Sequence, residues 1–239
     1  MEKQIMLKEY FSTLQQRLGV KETKGGKKTA KKSSTKEEYN ITKLINLLQD
    51  IVPNDFVISD KKPVDASGYV PKTVDYIAYF KKWNIIDQMM NGHIPSELVY
   101  GTFHVVDCIT PQQLPEILNN VALTKKLNKF SELEEADLIP AFIIAGTSDI
   151  DMPQLKNTIL DYYIERSIDN TLEFDIMMII GKGIIIKDWR EKRKFVALET
   201  EEDTLLWFFI LMNEYLDVDK KHSLDLRNYV KETRRYREY

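Results

Sequence analysis

A single α/β domain, built on a central mixed sheet flanked by helices, is the fold this sequence predicts, and three observations carry it. Apolar residues recur at three- and four-residue spacings in some stretches and alternate in others, the two periods of helix and strand. Some β-rich runs lead into helices long enough to cross over and give parallel pairs, whereas others are joined by turn-prone residues and give antiparallel pairs. The 239 residues are 43% hydrophobic and 30% charged, which fits one substantial core and excludes a wholly disordered chain.

The elements follow in order. Ile5, Leu7, Tyr10, Phe11, Leu14 and Leu18 form an apolar stripe on a helix that Gly19 ends, so residues 1–19 read as a docking helix. A second helix is expected over about 36–51, from Ile41, Leu44, Ile45, Leu47, Leu48 and Ile51, stopped by Pro53. Phe56 to Ser59 and Thr73 to Phe80 are expected to pair as a hairpin across a stretch holding Pro63, Asp65, Gly68 and Pro71. In TVDYIAYF, strict alternation sets Val74, Tyr76, Ala78 and Phe80 on one face and Asp75, Ile77 and Tyr79 on the other.

Leu98 to Ile109 is the next strand, and Pro111 opens a helix carrying Leu114, Ile117, Leu118, Val121 and Leu127. Ile139 to Ala145 reads as a strand and Met152 to Ile164 as a helix. Asp175 to Ile186 is strand-like around Gly181 and Gly183, which read as a turn between two strands and not as a phosphate cradle. Phe195 to Leu198 is a short strand, and about Glu202 to Tyr215 forms the last long helix.

Composition narrows the function classes. Cys108 is the only cysteine, so neither an intramolecular disulfide nor a cysteine-based zinc site can form within one chain, as suits a cytoplasmic protein. The start MEKQIMLKEYF lacks a signal-peptide apolar region, and the longest apolar run, Leu205 to Met212, is far short of the ~20 residues of a membrane span. No membrane partner is therefore expected. Between Lys21 and Lys36 seven lysines face one acid, Glu22, so a +6 segment sits in a chain whose net charge is −3. The resulting divisions are a basic linker over 20–35, an α/β domain over 36–218 and a basic C-terminal tail over 219–239, read as frayed and solvated. Lys27, Lys28, Lys31 and Lys32, with Arg234 and Arg235, are candidate nucleic-acid contacts; a plain solvated segment is the competing reading. Trp83 and Trp189, flanked by charge, are candidates for a protein interface.

Across about 35–216, the segments TKEEYNITKLINLLQDIVPNDFVISD, TVDYIAYF, ELVYGTFHVVDCITPQQLPEILNNVALTKKL, FDIMMIIGKGIIIK and LLWFFILMNEYL resemble an uncharacterised bacterial domain family. Its core is restriction-endonuclease-like, of the PD-(D/E)XK type. The resemblance implies a helix glutamate at Glu38 or Glu37 and a strand aspartate at Asp75, acids that would hold Mg²⁺ or Mn²⁺. It also implies a Glu-x-Lys on the following strand, but TFHVVDCI puts His104 at the glutamate position and Val106 at the lysine position. Valine can neither bind a cation nor stabilise charge on a scissile phosphate.

The expected function is thus a catalytically impaired nuclease-like module, a pseudoenzyme that acts by binding DNA, RNA or a protein. The resemblance places such modules in prokaryotic or phage defence. One alternative is an active metal-dependent nuclease using Glu38, Asp75 and His104, since imidazole suits Mn²⁺; another is a purely protein-binding subunit. Each residue also has a plain structural role open to it: Glu38 as part of a capping box with Thr35, Asp75 as an ordinary strand acid, His104 as a hydrogen-bonded strand histidine. Lys61, Lys62 and Lys72 can reach the site from the hairpin, although nothing in the sequence aims them.

Overall fold

The computed structural model describes residues 7–18, 41–82, 85–129, 138–188, 194–216 and 236–239. Glu37, Glu38, the four lysines of the basic segment, Arg234, Arg235, Trp83 and Trp189 lie outside the described residues. The elements are α1 (Leu7–Leu18), α2 (Ile41–Ile51), β1 (Phe56–Ser59), β2 (Pro63–Val64), β3 (Tyr76–Phe80), α3 (Ile86–Met89) and β4 (Ile94–Pro95). There follow β5 (Val99–Ile109), α4 (Leu114–Thr124), β6 (Ala141–Ser148), α5 (Met152–Glu165), β7 (Ile176–Ile179), β8 (Gly183–Asp188), β9 (Lys194–Glu199), α6 (Thr204–Leu216) and β10 (Arg237–Glu238).

Eight strands form one sheet in the order β1-β3-β5-β6-β7-β8-β9-β10, and β2 pairs with β4 in a small parallel ladder beside it. The pairs β5/β6 and β6/β7 are parallel, because α4 and α5 return the chain to the same edge; all other pairs of the large sheet are antiparallel. The expected hairpin exists as the antiparallel β1/β3 pair, with Phe56 opposite Phe80. Gly181 sits at φ 70 in the turn between β7 and β8, as the turn reading of GKG requires.

Alternation along the central strands divides the core between two faces. Phe103, Phe142, Ile144, Ile176 and Met178 pack under α1, α2 and α6, whereas Ile143, Ala145, Met177 and Ile179 pack under α4 and α5. This two-sided burial explains why β6 and β7 read as unbroken apolar runs. A third, smaller cluster joins Val74, Ile77, Tyr79, Ile94, Val99, Leu127 and Ile139. Leu127 belongs to it because α4 ends at Thr124, three residues before the expected helical stripe does.

Two features were not expected. Lys125–Asp175 (2.7 Å) and Lys187–Glu173 (2.8 Å) are ion pairs whose side chains are at most 2% exposed, and Asp175 also accepts from the Ala141 N–H at 2.7 Å. The C-terminal end is not a frayed tail in its last residues: β10 adds to the edge of β9, Tyr239 exchanges two backbone hydrogen bonds with Ala197, and the Tyr236 hydroxyl donates to Asp203 at 2.7 Å. An edge strand with unpaired amides gains by such pairing, and a two-residue strand leaves no periodicity to read in advance.

α1 is joined to α6 through Gln15, whose amide donates to the Glu201 carbonyl and whose oxygen accepts from the Leu205 N–H, each at 2.9 Å. A side chain from another helix thereby satisfies an amide of the first turn of α6. Gln15→Ala is expected to destabilise the fold by about 1–2 kcal/mol, measured by urea unfolding. Asp175→Ala is expected to cost about 3–5 kcal/mol in the same measurement, because Lys125 then stays buried without its carboxylate.

Candidate functional site

The residues that the resemblance brings into play meet where β3 begins against the middle of β5. The regular ladder starts with Tyr76 opposite Phe103. One residue earlier it slips: the Asp75 N–H donates to the Phe103 carbonyl at 3.1 Å, and the Asp75 carboxylate accepts from the Val105 N–H at 2.8 Å. A side-chain oxygen thus stands where the next backbone acceptor would be.

This slip corrects the expected alternation. Val74 packs with Ile77 and Tyr79, not on the face of Tyr76 and Ala78, and Asp75 is exposed instead of sharing the buried face of Ile77. The acid has a structural task at the end of the ladder, and one of its oxygens is occupied by it.

His104 is 3% exposed and lies across the parallel ladder from the fully buried Ile143. Its Nε2 has no hydrogen-bond partner among the described residues. Burial pushes the imidazole down to about 4; a hydrogen bond to the Thr73 backbone acts in the opposite direction, and the nearby Lys62 ammonium adds to the lowering. The ring is therefore neutral at physiological pH. Val106 is half-buried on the same side and packs against the cluster under α4 and α5, while Asp107 is exposed on the opposite face, as period-two geometry demands.

The segment leading into Asp75 is built on a tight knot around Asp65. This carboxylate is 5% exposed and accepts from the Ser67 N–H (2.9 Å), the Ser67 hydroxyl (2.6 Å), the Tyr69 N–H (2.9 Å) and the Asn128 N–H (3.2 Å), with Gly68 at φ 84 turning the chain. Burial alone would raise its pKa, but these bonds together hold it below the usual carboxylate value. Farther along, the Tyr69 hydroxyl donates to the Leu123 carbonyl and the Thr73 hydroxyl to the Asn120 carbonyl, which stitches the loop to α4. Lys62 is held by its backbone, whose carbonyl accepts from the Ile94 N–H at 3.0 Å, and its ammonium donates to the Val74 carbonyl, one residue before Asp75.

Of the three candidate metal ligands, then, Asp75 immediately precedes β3 and is exposed, His104 lies on the neighbouring β5 and is buried, and Glu38 is outside the described residues. Among the described residues no group of three or more His, Cys, Asp or Glu side chains is disposed to hold a metal ion. The donors among the described residues fit Mg²⁺ poorly, since that ion prefers several oxygens in octahedral array and they offer one partly engaged carboxylate, a buried imidazole and a valine. Asp65 and Gly68 read as turn residues in the sequence, but the four bonds that the Asp65 carboxylate accepts could not be read there.

No family model and no curated protein sequence matches this chain. Solved structures do. NucC of P. aeruginosa ATCC27853 in its cAAA-bound form superposes with a TM-score of 0.65 at 15% identity, covering 96% of this chain and 98% of that one. NucC of E. coli MS115-1 superposes in its apo form with a TM-score of 0.62 at 16% identity, covering 93% and 97%. The cAAA-bound form of the same protein gives a TM-score of 0.62 at 14% identity, covering 94% and 93%. Likeness at this level of identity is a statement about fold, and the fold is an α/β, restriction-endonuclease-like one with a mixed eight-stranded sheet.

Proposed function

We propose that this chain is a nuclease-like module of prokaryotic or phage defence that binds nucleic acid, and that hydrolysis is lost or strongly reduced. The observation that carries the reading is the make-up of the strand facing Asp75. Where phosphodiester cleavage calls for an acid and a cation, β5 presents a buried neutral imidazole and a half-buried valine. An ammonium aimed at the scissile phosphate and hard-ligand oxygens for a dication are the groups that stabilise the charge developing in such a reaction. With neither group supplied by β5, the site keeps its shape more readily than its rate.

A nucleotide-class ligand on this scaffold has support from NucC, which is known in a cAAA-bound form from two organisms. The lysines of the basic segment would add a sequence-independent, salt-sensitive contribution to any polyanion. Among the described residues no helix is long and apolar enough to cross a membrane.

The direct test incubates the purified chain with single- and double-stranded DNA and RNA, in Mg²⁺ or Mn²⁺, beside Asp75→Ala. Binding that weakens steeply with salt and leaves the strands intact is expected; metal-dependent cleavage that disappears in Asp75→Ala would establish the active-nuclease alternative instead. His104 offers a second test, because its folded pKa of about 4 lies below the ordinary value of 6.5. The unfolded chain then binds the extra proton first, so the stability tied to the neutral ring is complete above about pH 6.5 and is lost as pH falls toward 4. That difference corresponds to on the order of 3 kcal/mol, and His104→Gln is expected to flatten this part of the stability curve in urea titrations.

A further inference from the structure

A binding site for phosphate needs a cation, and most lysines around the centre of this sheet are engaged elsewhere. Lys125 and Lys187 are closed inside ion pairs with Asp175 and Glu173. Lys182, in the turn between β7 and β8, donates to the carbonyls of Ser148 and Ile150. Lys62 is partly exposed, as Lys182 is, but differs from all three in being directed at the start of β3. An ammonium carries three donors, and the Val74 carbonyl takes one of Lys62's.

We infer that Lys62 supplies the positive charge of the Asp75–His104 site: its ammonium, seated on the Val74 carbonyl, is the group that meets a phosphodiester of the bound nucleic acid. The inference rests on the nucleic-acid reading proposed above and names the residue that makes contact. Three features of the geometry support it. The ammonium is fixed one residue from Asp75, on the chain segment that flanks His104. The loop that carries it is pre-formed by the Asp65 knot and by the Ile94 N–H, so little ordering is needed when a ligand arrives. His104, whose neutral ring lies near this ammonium, brings no negative charge to compete for it, and Asp75, the carboxylate beside it, already has one oxygen engaged by the Val105 N–H. The same ammonium raises the cost of placing a dication beside the imidazole, so phosphate binding at this point is expected to need no metal.

The test measures the affinity of a labelled DNA oligonucleotide over a series of salt concentrations, for the full chain and for Lys62→Gln and Lys62→Arg, with and without EDTA. Lys62→Gln is expected to weaken binding about tenfold at low salt and to reduce the slope of log affinity against log salt by about one. Lys62→Arg should keep the slope, and EDTA should change neither quantity. As a readout on the unaltered protein, reductive methylation followed by mass spectrometry should find Lys62 protected when the oligonucleotide is bound, and this decides the matter should Lys62→Gln fail to fold. Equal methylation with and without oligonucleotide, or a folded Lys62→Gln with the original slope, overturns the inference. Should the unaltered chain bind no oligonucleotide at all, the nucleic-acid reading falls and takes this inference with it; normal binding with a silent Lys62 defeats the inference alone.

Discussion

The hydrogen bond from the Val105 N–H to the Asp75 carboxylate is the constraint on which the candidate site depends. It ends the β3/β5 ladder with a side chain in place of a backbone carbonyl and shifts the residues before Tyr76 out of register. Val74 can then turn into the small cluster with Ile77, and its carbonyl becomes available to Lys62. Asp75 is left at the surface with one oxygen engaged, while His104 points into the core beside Ile143. A carboxylate with such a structural role can persist in a site whether or not the site performs chemistry, which is why its presence alone is weak evidence for activity.

Around that point the molecule is rigid for reasons that have nothing to do with catalysis. The parallel centre of the sheet is buried on both faces, and its strands carry apolar side chains in both directions. Two fully buried ion pairs tie the end of α4 (Lys125) and strand β8 (Lys187) to Asp175 and Glu173 in the segment just before β7. Buried pairs of this kind add little net stability over apolar residues of the same shape, but they penalise any arrangement that separates the partners. At the far edge, Asp203 receives Lys8 from α1 at 2.9 Å and the Tyr236 hydroxyl, so segments near both ends of the chain converge at the start of α6.

Much of this fold was legible in the sequence because period and turn chemistry agree with tertiary structure in the central elements. Alternation and apolar runs located β1, β5, β7 and β8, helical stripes located α1, α5 and α6, and Gly181 announced its turn. The misses have physical causes. The two-residue strands β2, β4 and β10 are too short to show a period, and the buried lysines look like surface lysines until their acids are placed in space. Strict alternation failed at Asp75 because a side chain can replace a backbone acceptor, an event no hydropathy pattern records. In the candidate site, the identities at 75, 104 and 106 could be read directly, whereas the reach of Lys62 could not, since it depends on a backbone bond to Ile94, far along the sequence.

On the proposed reading, the Lys62 ammonium and not a metal ion supplies the positive charge beside Asp75 and His104. Crystals of the full chain soaked in Mn²⁺ and measured for anomalous scattering test it most directly. No manganese peak is expected within coordination distance of both side chains, with Lys62 still lying on the Val74 carbonyl. A peak ligated by Asp75 and His104 together, with Lys62 displaced, would contradict it.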